Sequence, residues 1–120
     1  MTRSHLLVLS ALLTGAPTLA RAHAQLQTSD PAVGSIVRTA PEQVAITFSE
    51  AVEPRFSSIA VTDGAGRSVT RGAPHTAGGD GRRLLMEVDA LPAGTYRVEW
   101  HATSVDTHKT EGSFGFTVAP

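Results

Sequence analysis

The chain has 120 residues, with ten lysines and arginines, eleven aspartates and glutamates, and no cysteine. This length suffices for one small domain, and the near-neutral charge argues against nucleic-acid binding, which requires a clustered basic surface to neutralise phosphates. Without cysteine, the chain has no disulfide, no thiolate metal site and no cysteine nucleophile.

The first 22 residues have the pattern of a cleavable signal peptide. Arg3 gives a basic start, Leu6 to Leu13 form a short apolar stretch, and Ala20-Arg21-Ala22 has the small-x-small pattern of a signal-peptidase site. The apolar stretch is much shorter than the ~20 residues needed to span a bilayer. We therefore expect residues 1–22 to be removed and residues 23–120 to form an exported domain that does not span the membrane.

Cleavage after Ala22 makes His23 the N-terminal residue. A terminal histidine offers a metal ion both its α-amine and its imidazole Nδ1, a pair that no internal histidine has. Ala22-His23-Ala24 is a second small-x-small triplet, so cleavage after Ala24 is an alternative that discards His23. Cleavage after Ala22, which we prefer, removes Arg3 and Arg21 with the signal, so the formal charge of the mature chain is −3.

The mature chain alternates apolar and polar residues with period two, which is typical of β-strands. Turn signals recur about every ten residues, including Asp30 to Ser35 after the first strand, so the pattern predicts an all-β sandwich. The stretch Arg71 to Gly81 is predicted to be a loop. The aromatic residues at alternating positions are predicted to be core: Phe48, Tyr96, Trp100, Phe114 and Phe116.

Asp106-Thr107-His108 is the second candidate set of metal ligands. In extended structure, residues two apart project from the same face, so both side chains can reach one ion. Nitrogen and oxygen donors of this kind bind Cu(II) most tightly among the first-row divalent ions, and three nitrogens with one oxygen suit tetragonal Cu(II) better than tetrahedral zinc. Alone, such a triplet is also typical of a solvated loop.

The mature chain resembles the CopC family of periplasmic copper-resistance proteins over nearly all of residues 23–120. The matching motifs are His23 at the start, the turn Pro31 to Ser35, Phe48-Ser49-Glu50, Leu91-Pro92-Ala93-Gly94-Thr95-Tyr96 followed by Val98 and Trp100, Ser104-Val105-Asp106-Thr107-His108, and Gly112-Ser113.

This resemblance implies an immunoglobulin-like Greek-key β-sandwich that binds one Cu(II) per mature chain in the periplasm. It implies His23, Asp106 and His108 as the ligands. Glu50 is then either a weak ligand or a group beside the ligands, although a surface carboxylate is an equal alternative. The implied role is copper sequestration, or delivery to an inner-membrane copper transport protein of the CopD type, by a monomer.

The chain departs from the family at two places. Some members carry a Cu(I) site in a methionine-rich loop, but the corresponding stretch Val69 to Gly81 has no methionine, so no Cu(I) methionine site is expected. His101 stands where the family has arginine, and it is interpreted as a surface strand histidine or as an outer group near the metal. His75 is expected to be solvated.

Two other classes of function remain as alternatives. A terminal histidine and a second histidine on copper also form the brace of lytic polysaccharide monooxygenases, which are oxidoreductases. Those enzymes need open copper positions and a flat face, often rich in aromatics, whereas this domain has one Trp and one Tyr, both patterned as core. We therefore expect no enzyme activity. A metal-free structural sandwich is the second alternative, and it requires cleavage after Ala24.

Overall fold

The computed structural model describes residues 24–120, which form two four-stranded sheets packed as a sandwich. The expectations for the signal peptide and for His23 lie outside the described residues. Between residues 24 and 120, no helix has the length and apolar character needed to cross a membrane. The strands, in chain order, are β1 Leu26–Asp30, β2 Ile36–Val37, β3 Gln43–Phe48, β4 Ser58–Thr62, β5 Thr70–Ala77, β6 Arg83–Val88, β7 Gly94–Thr103 and β8 Lys109–Val118.

One sheet has the order β1-β3-β6-β5 and the other has the order β2-β8-β7-β4. Neighbouring strands are antiparallel except for the short β2, which pairs in parallel with β8. The chain passes between the two sheets repeatedly, and a 3-10 turn, Pro54–Phe56, lies in the connection between β3 and β4. The predicted all-β Greek-key sandwich is confirmed.

The core lies between the sheets and contains all five aromatic residues that the alternation placed there. The rings of Phe48 and Trp100 meet edge to face with centroids 5.2 Å apart, and those of Tyr96 and Phe116 stack at 5.5 Å. The Phe48–Trp100 contact joins the two sheets, whereas Tyr96 and Phe116 are partners on neighbouring strands of one sheet, and both contacts remove apolar area from water. Gly112 is the partner of Trp100 across β7 and β8, where a Cβ would come within 2.6 Å of the indole.

The predicted loop from Arg71 to Gly81 is wrong, because most of this stretch forms the edge strand β5. The strand pairs with β6, but its register shifts between Arg71 and His75, and Gly72 has a φ of 77°. An edge strand with both faces largely exposed needs no apolar alternation, so the pattern that reveals the other strands is missing here. His75 is on this strand, and its side chain is exposed as expected.

Three connections meet at the end of the sandwich where β7 turns into β8. Val52, from the β3–β4 connection, forms a β-bridge with Ser104, and the Val105 amide donates to the Ala51 carbonyl. The Val52 amide in turn donates to the carbonyl of Gly81 in the β5–β6 connection. The turn between β7 and β8 is therefore supported by backbone hydrogen bonds from a neighbouring connection.

Candidate metal centre

The D-x-H triplet lies in the tight turn that joins β7 to β8. The Ser104 amide donates to the His108 carbonyl at 2.9 Å, and the Thr107 amide donates back to the Ser104 carbonyl at 2.8 Å. Thr107 has a φ of 72°, in the left-handed region that β-branched residues rarely adopt. Asp106 and His108 therefore do not lie in extended structure, and the turn brings their side chains together instead.

Asp106 and His108 form a close pair at the surface. The His108 Nδ1 lies 3.2 Å from the Asp106 Oδ1, and about half of each side chain is exposed (54% and 50%, respectively). A carboxylate next to one ring nitrogen fixes the orientation of an imidazole, as is common for histidines that bind metals through the other nitrogen. The pair is thus both accessible and oriented.

Ser104 lies beneath this pair and is fully buried. Its hydroxyl donates to the Asp106 Oδ1 and accepts the His108 backbone N–H at 3.2 Å. The Ser104 hydroxyl lowers the pKa of the Asp106 carboxyl below its ordinary value, and the imidazole and backbone of His108 add to this effect against the opposing effect of desolvation. The carboxylate form of Asp106 is therefore favoured.

The start of the described chain reaches the same end of the sandwich. Ala24 is fully buried, and its carbonyl accepts a 2.7 Å hydrogen bond from the Thr110 hydroxyl. Gln25 and Ser49 are linked twice, because the Gln25 amide donates to the Ser49 hydroxyl and the Ser49 amide donates to the Gln25 carbonyl, both at 2.8 Å. A hydrogen bond therefore joins Ala24 to Thr110 of β8, and Thr110 is two residues after His108 in the sequence.

The other candidate residues are placed differently. Glu50 is half-buried in the bend after β3, and within the range from Ala24 to Pro120 no three histidine, aspartate or glutamate side chains form a group that could hold a metal ion. His101 is on the outer face of β7, with its side chain 60% exposed and Nδ1 3.8 Å from Glu111 Oε1. The structure thus brings Asp106 and His108 together but gathers neither Glu50 nor His101 with them in such a group.

Sequence reasoning did not identify the two hydroxyl groups that organise this end. In the sequence, Ser104 stands out only as part of the motif Ser104 to His108, and Thr110 does not stand out. A serine two residues before an aspartate has the spacing of common side-chain hydrogen bonds in turns, so a weak signal for Ser104 existed. For Thr110 there was none, because its partner is 86 residues away.

Comparison with known proteins gives similarity in both sequence and structure. Copper resistance protein C of Pseudomonas syringae pv. tomato is 38% identical over 106 residues, which cover 83% of each chain. The crystal structure of CopC from Methylosinus trichosporium OB3b matches with a TM-score of 0.76 and 32% identity, covering 82% of this chain and 95% of that chain. PcoC, a methionine-rich copper resistance protein from Escherichia coli, matches with a TM-score of 0.68 and 36% identity, covering 81% and 99%.

The model of one protein family matches almost the whole described chain. The match is to the CopC domain, and it extends over residues 26–119. It includes both sheets of the sandwich and the turn that carries Asp106 and His108. The chain therefore belongs to the CopC family.

Proposed function

We propose that the mature protein begins at His23 and binds one Cu(II) ion in the periplasm through His23, Asp106 and His108. Its relatives include copper resistance proteins, and the oriented Asp106–His108 pair supplies two of the donors. The α-amine and imidazole of His23 supply the other two. Three nitrogens and one carboxylate oxygen make a set that suits tetragonal Cu(II).

The observation that carries this proposal is the anchoring of Ala24. Cleavage after Ala24 would remove a fully buried core residue and would leave the Thr110 hydroxyl without its acceptor. Cleavage after Ala22 keeps both, so the contacts of Ala24 favour a mature chain that starts at His23. The same contacts put the residue after His23 beside β8, close in sequence to His108, which supports His23 as a ligand.

The oxidation state follows from the chemistry of the donors. Cu(I) sites favour soft thioether and thiolate ligands, but the chain has no cysteine and only two methionines. Met1 belongs to the proposed signal, and Met86 is buried in the core with 3% exposure. In contrast to the methionine-rich PcoC, this protein is proposed to bind copper only as Cu(II), with Glu50 as a weak ligand or a neighbour of the ligands.

The proposed role is to hold copper as cargo and not to use it as a catalyst. Asp106 occupies a coordination position that oxygen chemistry needs open, and the domain's only Trp and Tyr are buried between the sheets. We therefore propose a monomeric, non-enzymatic protein that sequesters copper or delivers it to an inner-membrane copper transport protein of the CopD type.

The decisive experiment is the intact mass of the exported protein, with and without Cu(II), followed by a terminal extension. We expect the mass of residues 23–120 and one copper per chain. One glycine added before His23 converts its amine into an amide, which removes one proposed ligand. Loss of a residue that only hydrogen-bonds to a metal ligand costs up to ~100-fold in affinity, so the loss of a ligand itself should lower Cu(II) affinity by well over that factor. Equal affinity in the extended protein, or a mature mass that begins at Gln25, would overturn the proposal.

A further inference from the structure

The hydroxyl of the buried residue Ser104 contacts both members of the Asp106–His108 pair. Its exposed fraction is 0%. A serine hydroxyl has one proton to donate and two lone pairs that accept. At Ser104 the acceptor role is taken by the His108 backbone N–H at 3.2 Å, and the proton has two possible acceptors, the Asp106 carboxylate and the His108 carbonyl at 3.3 Å.

The proton of Ser104 goes to the carboxylate. A hydrogen bond to a charged acceptor is roughly twice as strong as one to a neutral acceptor, and the His108 carbonyl already accepts the Ser104 amide at 2.9 Å. One buried oxygen therefore links the side chain of Asp106 to the backbone of His108.

We propose that Ser104 is the positioning residue of the copper centre, which sets the placement of Asp106 and His108 before the ion arrives. This inference rests on the proposed function, because it assigns Ser104 a role toward those two ligands. Ser104 does not bind the ion itself. It acts by holding the Asp106 Oδ1 while the His108 Nδ1 faces the same oxygen, so the pair meets the ion as one unit.

Ser104 can perform this role because its own position is fixed from several directions. It forms a β-bridge with Val52, and the next amide, that of Val105, donates to the Ala51 carbonyl. The Thr107 amide donates to the Ser104 carbonyl. Ligands held by rigid, packed neighbours lose less conformational freedom on binding, so affinity rises without any new contact to the metal.

The test compares Ser104→Ala with Ser57→Ala in the mature protein. Ser57 is a matched control, because it is also buried at this end of the sandwich (8% exposed) but its hydroxyl bonds only to backbone groups of Glu53 and Thr103. We expect Ser104→Ala to weaken Cu(II) binding about 10- to 100-fold, the range for loss of an outer-shell hydrogen bond. Ser57→Ala should lower the thermal midpoint comparably but change Cu(II) affinity less than about threefold, because its hydroxyl has no outer-shell bond to a ligand.

Two further measurements separate positioning from folding. Ser104→Thr keeps the hydroxyl and should restore most of the affinity. Asp106→Asn should cost much less affinity in the Ser104→Ala background than in the wild type, because a carboxylate that is no longer held contributes little. Equal Cu(II) affinity of wild type and Ser104→Ala, or full additivity of the two substitutions, would overturn the role of Ser104.

The metal-free protein gives a readout independent of copper. Amide hydrogen exchange at His108 should be faster in Ser104→Ala than in Ser57→Ala, because the His108 N–H loses its acceptor. Unchanged protection at His108 contradicts the proposal. If the wild type itself binds no Cu(II) while Ser104 still protects His108, the proposed function is wrong and Ser104 is a structural residue of the turn.

Discussion

The two parts of the candidate metal centre are built in opposite ways. The turn from Ser104 to His108 is held mainly by hydrogen bonds among its own residues, which are no more than four apart in sequence, and is also supported by the bridge between Ser104 and Val52 and the bond from the Val105 amide to the Ala51 carbonyl. The N-terminal arm, Ala24 and Gln25, is held by Thr110 and Ser49, which are 86 and 24 residues away. The turn is thus largely a local structure, whereas the arm acquires its position only when β3 and β8 are both in place.

This difference determines how each part responds to change. Local hydrogen bonds form with little loop-closure cost, and distant ones depend on the cooperative stability of the whole domain. The Asp106–His108 pair should therefore survive perturbations that release the arm. We expect the arm to limit the proposed metal binding, because its position depends on folding and its first residue depends on the proposed signal cleavage.

The largest effect is expected from removing His23 and Ala24 together. A chain that starts at Gln25 lacks the proposed ligand His23 and the buried Ala24. Its Cu(II) affinity should fall by far more than ~100-fold, which is the upper cost of losing a group that only hydrogen-bonds to a metal ligand. Loss of the Thr110–Ala24 bond should also lower the free energy of unfolding by about 1–3 kcal/mol. Competition titration and urea unfolding, with the chain from His23 as reference, measure both. Tight Cu(II) binding by the shortened chain would show that the turn alone forms the site.

The second-largest effect is expected at Thr110, the β8 residue whose hydroxyl donates a hydrogen bond to Ala24 in the arm. Thr110→Val keeps the shape but leaves the Ala24 carbonyl without its donor, at a cost of about 1–3 kcal/mol in unfolding free energy. Cu(II) affinity should fall about tenfold as the arm loosens. Thr117→Val is the matched control on the same strand, because its hydroxyl makes only an exposed 3.3 Å contact with Thr95. If both variants bind Cu(II) equally, the arm does not need Thr110.

A smaller effect, an increase in the unfolding free energy, is expected from a substitution in the turn. Thr107 has a φ of 72°, which costs a residue with a Cβ about 1–2 kcal/mol. Thr107→Gly should remove that cost and, after the extra entropy of glycine in the unfolded chain, raise the unfolding free energy by about 0.5–1 kcal/mol. Thr107→Ala keeps the Cβ and should not stabilise. A glycine variant no more stable than the alanine variant in thermal unfolding would contradict this reading of the turn.

The smallest effect is the acid dependence of the metal-free protein. The folded-state pKa of Asp106 lies below its unfolded value of about 3.9, so the folded state binds fewer protons in that window and stability rises with pH. The carboxylate's contribution is complete above the unfolded pKa and is lost as pH falls through the folded pKa. The stability difference between wild type and Asp106→Asn should therefore narrow below about pH 4. A stability difference between wild type and Asp106→Asn that stays constant from pH 6 to pH 2 would refute this prediction.

The sandwich was predictable because buried strands carry a repeating signal. Val44, Ile46 and Phe48 alternate with the smaller residues Ala45, Thr47 and Ser49, and Tyr96, Val98 and Trp100 alternate with the polar residues Arg97, Glu99 and His101. The period of two therefore indicates which large apolar side chains are inside. β5 was missed because its side chains are mostly exposed and its pairing is interrupted near Gly72. Alternation reveals a strand only when one of its faces is buried, and β5 has little buried surface on either face.

The candidate site was only partly predictable for a related reason. Residue types and a family resemblance single out Asp106 and His108, but the turn that brings them together depends on Thr107 in the left-handed region, for which threonine gives no signal. The roles of Ser104 and Thr110 depend on burial and on a distant partner. His23 lies outside the described residues, and its role as a ligand stays a prediction.

The half-exposed state of Asp106 and His108 has a consequence for exchange rates. If the proposed copper centre forms at this pair, one side of the ion would face solvent, and donor atoms of an acceptor could approach before the original ligands leave. Exchange through such a shared intermediate would avoid release of the bare ion into water. A centre of this kind could then combine tight binding at equilibrium with fast exchange.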